Sequence, residues 1–441
     1  MNRFACLVTV GWILLQVQVG LSQRIDREKL DQYFSLLEKN NKFMGSIAIA
    51  QHDTLIYTRS TGYADVEQGI KAHQGSKYRI GSISKTFTSV MVLKALENNK
   101  IQLTQSLETY FPTIPNASAI TIRHLLQHRS GIHNFTDDPD FLNWNTQPKS
   151  KQEMIAIIAK GGSDFAPGTK ASYSNSNYVL LTYILERLYQ KPYASLLEEQ
   201  IVKPLQLRDT YLGGKIQTQK QECKSYLYQG AWKLESETDM SIPAGAGGIV
   251  STASDLVKFS HALFNGKLLQ PASLELMKTL QDNFGLGLIQ IPFYERKAFG
   301  HTGGIDGFSS VFTYFSDGSI SYAMVSNGVN YNTNLISIAV MSAVFNKPYQ
   351  LPTFTTYVVT AEDLAQYPGS YASKQMPLKI TIKQSNGALV AQASGQAPFP
   401  LEPVQRHRFR FEQAGVVIEF NPSEKSFILK QGGAQYTFTK E

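Results

Sequence analysis

Strand-like segments stand at the two ends of residues 25–345, and helix-like segments fill the stretch between them. Ser46 to Ala50 and Leu55 to Tyr57 read as strands around the turn residues His52-Asp53. Phe308 to Phe315 and Ile320 to Val325 flank Asp317-Gly318, a pair suited to the positive φ of a hairpin turn. Residues 25–39 read as an amphipathic helix with Leu30, Phe34 and Leu37 on one side. The clearest helix of the middle runs from about Tyr178 to Gln190, with Pro192 beyond its end. This order predicts one α/β (α+β) sandwich, a sheet flanked by helices, carrying an inserted helical subdomain. The boundary between the two parts is where a cleft is expected.

The pattern changes after Phe345. Lys347 to Pro352 and the Thr-rich stretch to Thr360 read as a linker. Short alternating strands follow, among them Leu378 to Ile382, Phe409 to Phe411, Val416 to Ile418, Phe427 to Leu429 and Tyr436 to Phe438. They predict a small antiparallel all-β barrel or sandwich. The expected division is residues 23–346, a linker at 347–362, and an accessory β-rich domain at 363–441.

At 441 residues the chain exceeds one ordinary core. Its composition, 42% apolar and 17% charged, is that of an ordered globular protein. The net charge of +7 is scattered, so a nucleic-acid partner is not expected. Arg3, the apolar run from Ala5 to Gly20 and the small residues at Gly20-Leu21-Ser22 predict a signal peptide at 1–22, cleaved after Ser22. The run is short for a membrane span, so a secreted or periplasmic product without a stable membrane span is expected. Cleavage would remove Cys6 and leave Cys223 alone, without an intrachain disulfide.

Gly81-Ser82-Ile83-Ser84-Lys85 carries the chemistry. It sets a hydroxyl and an amine three residues apart at the head of a helix-patterned run. Residues at i and i+3 on a helix are neighbours. A serine hydroxyl is a weak nucleophile until a base takes its proton. A lysine becomes that base when burial lowers its pKa from about 10.4. Ile83, Phe87, Val90 and Met91 form an apolar stripe that suits such burial. Downstream lie Tyr173-Ser174-Asn175 and His301-Thr302-Gly303-Gly304.

These three elements, in this order, resemble the motifs of the serine β-lactamase and penicillin-binding family. The Tyr-x-Asn element is similar to the class C branch, which also holds DD-peptidases, esterases and D-amino-acid peptidases. The flanks Tyr78-Arg79-Ile80, Leu125 to Gly131, Pro167-Gly168-Thr169 and Gly247 to Thr252 agree. The resemblance covers about residues 25–345 and implies an antiparallel sheet with the site in its cleft. Tyr367-Pro368-Gly369-Ser370-Tyr371 resembles the opening of lipocalin-like domains fused behind some members.

The resemblance implies Ser82 as nucleophile, with Lys85 and Tyr173 as the other catalytic residues. Either of these is a candidate base. A nearby ammonium would favour a Tyr173 phenolate. Asn175, His301, Thr302 and Gly303 are implied to bind substrate, although Asn175 also suits a helix N-cap. The amides of Ser82 and Gly304 are implied as the oxyanion hole. His301 stands where β-lactamases of this branch usually carry lysine, and a histidine is cationic only in part near neutral pH. His124, His128 and His133 lack a zinc-like set of further ligands, so no metal and no cofactor are expected. The expected function is an exported serine hydrolase acting through an acyl-enzyme on a D-amino-acid peptide, a DD-peptide from peptidoglycan, or a small ester. The alternatives are a class C β-lactamase and a penicillin-recognising or wall-binding protein with negligible turnover.

Overall fold

The computed structural model describes residues 25–441 apart from 355, 356, 386, 397 and 432. The expected leader, with Cys6, lies outside the described residues. Ile47 and Ile49 alternate with Ala48 and Ala50 along strand β1 (Phe43–Gln51), and all four are buried. The strand is therefore covered on both faces. The isoleucines enter one core with Leu30, Phe34 and Leu37, while the alanines enter a second core with Leu256 and Phe259. Small residues on the second face let a helix lie close against the sheet.

The sheet has six strands in the order β3-β4-β5-β6-β1-β2. They are β2 (Thr54–Thr61), β3 (Ile289–Phe293), β4 (Arg296–Ile305), β5 (Phe308–Phe315) and β6 (Ile320–Val329), with β1. Every neighbouring pair is antiparallel, and β1 joins β6 from the far end of the sequence through pairs such as Ala48↔Ala323. Phe315 pairs with Ile320, so Asp317-Gly318 sits inside a four-residue loop, with Gly318 and Ser319 at positive φ. Strand β6 runs past Val325 through Ser326 and Asn327, whose side chains are buried and donate to the carbonyls of Met44 and of Tyr63 and Lys224.

Helices α1 (Arg27–Lys39) and α5 (Thr333–Val344) cover one face. Helix α4 (Ala253–Phe264) covers the other, with the inserted helices α2 (Ser84–Glu97) and α3 (Asn175–Tyr189) beyond it. The apolar stripe expected on α2 understates its burial. Eleven of its fourteen residues are buried. Its polar residues survive there because each finds a partner: Thr86 donates to the Gly287 carbonyl and Thr88 to the Gly245 carbonyl. Helix α3 begins three residues before the expected Tyr178 and ends at Gln190, which caps it in the left-handed conformation.

Residues 369–440 close into an eight-stranded antiparallel barrel. Its first strand, Gly369–Ala372, pairs with both the second and the last, Ala434–Lys440. Tyr367, Tyr371, Phe409, Phe420, Phe427 and Phe438 fill it. The segment read as a linker is pinned rather than free. Tyr349, Leu351 and Phe354 pack on the sheet's outer core, and Val359 packs on the barrel. Glu402 of the barrel takes a bond from the buried Lys42 and another from Asn330 Nδ2 at 3.2 Å.

Candidate active site

Ser82 lies on a single 3-10 turn, Gly81–Ile83, that leads directly into α2. The turn needs Gly81 at φ +49°, a left-handed conformation that suits a residue without Cβ. The N-cap position of α2 falls on Ile83, and no side chain caps it. Its side chain lines a cleft of about 420 Å³ between the sheet edge and the helical part.

Lys85 stands in the first turn of α2, fully buried. Its Nζ lies 2.9 Å from Ser82 Oγ, 2.7 Å from Asn175 Oδ1 and 2.7 Å from the Ala246 carbonyl oxygen. No carboxylate pairs with it among the described residues. Burial without a counter-charge pushes its pKa well below the usual lysine range. With one proton lost, two N–H groups would remain for Asn175 Oδ1 and the Ala246 carbonyl, leaving the lone pair to the Ser82 hydroxyl.

Tyr173 reaches the same oxygen from the other side, its hydroxyl donating to Ser82 Oγ at 2.6 Å. Its ring stacks on His128 at 4.4 Å between centroids. Burial pushes the phenol up to about 12. Burial therefore works against the expected phenolate.

Asn175 is the first residue of α3, and the cap position belongs to Ser174. The N-cap reading of Asn175 is thus displaced by one residue. Its Nδ2 donates to Asn134 Oδ1 and Thr136 Oγ1, which turns Oδ1 toward Lys85.

Residues 301–304 lie on strand β4 past Gly300, where its pairing with β3 ends, so on that side they form the sheet edge. A Cβ on Gly303 would fall 2.1 Å from the Ile80 carbonyl oxygen and 2.4 Å from Ser310 Oγ. Gly303 therefore admits the segment that carries the nucleophile, rather than the substrate. Gly304 lines the cleft with Ser82, whereas Thr302 is exposed on the same strand.

His301 departs from its expected place as a cation for substrate. It is buried, 4% exposed, and its Nδ1 bonds the Thr302 carbonyl. Burial and the nearby Lys85 push its pKa down to about 4. Because Nδ1 carries the proton in that bond, the neutral ring leaves Nε2 as the acceptor.

Sequence reasoning missed the support around this centre. The Ala246 carbonyl holds Lys85, Asn134 and Thr136 hold Asn175, and Arg79 holds Asp306. Arg79 is buried, bonding Asp306 at 2.8 Å and Glu237 at 3.1 Å. Arg79 between Tyr78 and Ile80 was the available signal, because an arginine within an apolar flank needs a carboxylate partner if it is buried. The three histidines go to separate tasks. His124 closes a capping box with Thr121, His128 accepts from the Ser174 amide, and His133 pairs with Asp138 and Asp164. Cys223 is buried, with its thiol pushed up to about 12.

The profile of the Beta-lactamase family matches residues 33–339. Penicillin-binding protein 4* of Bacillus subtilis (strain 168) is 25% identical over 451 residues, covering 93% of this chain and 97% of its own. Teichoic acid D-alanine hydrolase of Staphylococcus aureus (strain MRSA252) is 26% identical, covering 66% of this chain and 71% of its own. The crystal structure of a D-stereospecific amidohydrolase from Streptomyces sp. superposes with a TM-score of 0.61 at 28% identity, covering 71% of this chain and 98% of that one.

Proposed function

The chain belongs to the Beta-lactamase family, and on that footing we propose that it is an exported serine hydrolase of D-configured aminoacyl amides or esters. The reading rests on one observation: Ser82 Oγ is held in a cleft between the buried Lys85 amine 2.9 Å away and a phenolic hydroxyl 2.6 Å away.

Ser82 Oγ attacks the carbonyl carbon while its proton passes to Lys85 Nζ. The amides of Ser82 and Gly304 take the oxyanion. As the C–N or C–O bond breaks, the proton on Lys85 goes to the leaving atom. The Tyr173 hydroxyl, beside Oγ, relays it and stays protonated at the end. Water repeats the sequence on the acyl-enzyme: its proton goes to Lys85, its oxygen to the carbonyl carbon, and the proton returns to Ser82. Asn175 holds the Lys85 lone pair on Ser82.

The D-configured substrate class is supported by two relatives, one named a D-stereospecific amidohydrolase and the other a D-alanine hydrolase. Export is supported by the apolar leader, and N-terminal sequencing of the mature protein tests it. A fluorophosphonate should label wild type at one residue, and Ser82→Ala should abolish both labelling and turnover while melting like wild type. A variant that still labels or turns over removes Ser82 from the mechanism.

A further inference from the structure

The side chains lining the cleft include two carboxylates, Glu235 and Asp306, and no lysine, arginine or histidine. The two acids are in different states. Asp306 is committed: it takes bonds from Arg79, the Thr238 amide and the Thr238 hydroxyl, and its side chain is 2% exposed. Glu235 is half-buried and receives bonds at Oε1 alone, from the amide and the hydroxyl of Ser236. It has no ion pair among the described residues. Glu235 is thus the one cleft carboxylate without an ion pair among the described residues.

The opposite character is supplied by the walls. Leu142 and Leu227 line the same cleft at 78% and 43% exposure, joined by Phe141 and Ile305. Apolar side chains that line a concave site and remain open to water gain from an apolar ligand covering them.

Resting on the acyl-transfer reading above, we propose that the substrate presents a free ammonium to Glu235 and an apolar side chain to the Leu142–Leu227 wall. The class is an aminoacyl amide or ester with an unblocked amine and an apolar side chain. A substrate ending in a carboxylate meets Glu235 with no cation to offset it, because His301 is neutral and Lys85 does not line the cleft. Peptides recognised by a free C-terminal carboxylate, and β-lactams with theirs, are disfavoured by the same charge.

The test compares D-phenylalanine p-nitroanilide with its N-acetyl form, and uses p-nitrophenyl acetate and fluorophosphonate labelling to report on the Ser82 centre. Wild type should favour the free amine by about tenfold in kcat/KM, a ratio worth about 1.4 kcal/mol. Glu235→Gln should bring the ratio near one, mainly through KM, and Glu235→Asp should restore part of it. In wild type alone, kcat/KM for the free amine should fall as pH rises through the substrate's own amine pKa, about 7.7–8.0 for an ordinary α-amine. The N-acetyl anilide should show no such fall. Equal or better use of the N-acetyl anilide, a preference unchanged in Glu235→Gln, or acetate-ester turnover with neither anilide used, overturns the proposal and leaves the hydrolase reading intact. Absence of labelling and of all turnover overturns both.

Discussion

The Cβ that Gly81 lacks would fall 2.7 Å from the amide nitrogen of Gly304. The turn before the nucleophile and the strand across from it therefore touch backbone to backbone, and both amides of the proposed oxyanion hole depend on that contact. Gly81→Ala adds a clash and forces a side chain into φ +49°. It should lower kcat by about a hundredfold or more, the scale of losing one oxyanion donor. A Cβ on Gly304 meets only the Phe308 carbonyl at 3.9 Å, so Gly304→Ala should cost far less. Steady-state kinetics on a small ester compare the two. Equal losses would show that the contact does not set the geometry.

Lys85 should be irreplaceable by another cation. Arginine stays protonated in proteins, with a pKa above about 12, and cannot accept the serine proton. Lys85→Arg should therefore acylate as poorly as Lys85→Ala, both down by about a thousandfold or more, within the range for loss of a catalytic base. Tyr173→Phe should also be slow, and the double variant no slower than the worse single one, because the two side chains share one oxygen. Stopped-flow labelling measures all four. An active Lys85→Arg would mean that the lysine acts by its charge.

The Ser82–Lys85 pair was legible in sequence because its spacing is local: one helical turn brings the two together wherever the helix goes. Tyr173 and Asn175 were legible only through their motif, since nothing local says that Tyr173 crosses to Ser82. The state of His301 was not legible. Its tripeptide shows a histidine, while its pKa follows from burial beside Lys85, a product of the sheet and helix meeting. The barrel was visible in its alternating short strands. The pinning of residues 349–354 was not, because apolar residues within a proline-bearing stretch look the same whether docked or free.

The burial of Lys85 and His301 fixes the pH profile. An amine with a depressed pKa is the base only when deprotonated, so kcat/KM for a neutral ester should rise with pH through that depressed value and then level. Tyr173 should add no fall below about 12. His301 should add no step near 6.5, the ordinary histidine value. Its effect should appear in stability instead. With a folded pKa of about 4, below the unfolded value, its contribution is full above about 6.5 and declines as pH falls toward 4, where the unfolded chain is protonated first. His301→Gln should thus lose less stability than wild type between pH 7 and 4.5, by about 2 kcal/mol, in urea titrations. A step near 6.5 in wild-type kinetics that His301→Gln abolishes would place a charged imidazole in the cleft after all.

The last prediction concerns how the barrel is held. Lys42 is 5% exposed, and the barrel's Glu402 is its partner. Removing one member of a buried pair leaves the other charge uncompensated, at a cost of about 3–5 kcal/mol. Glu402 is partly open to water, so the lower end applies, and Glu402→Ala should destabilise the protein by about 3 kcal/mol. Replacing both, as in Lys42→Met with Glu402→Leu, should recover most of that loss, since no charge is then stranded. Because Tyr349, Leu351 and Phe354 belong to the hydrolase core, a chain ending at Thr360 should fold and hydrolyse small esters, whereas one ending at Lys347 should be markedly less stable. Denaturant unfolding of the four variants, with ester turnover on the two shortened chains, provides the readout. If the chain ending at Thr360 fails to fold, the barrel is integral to the hydrolase. If both shortened chains are equally stable, the docked segment contributes nothing.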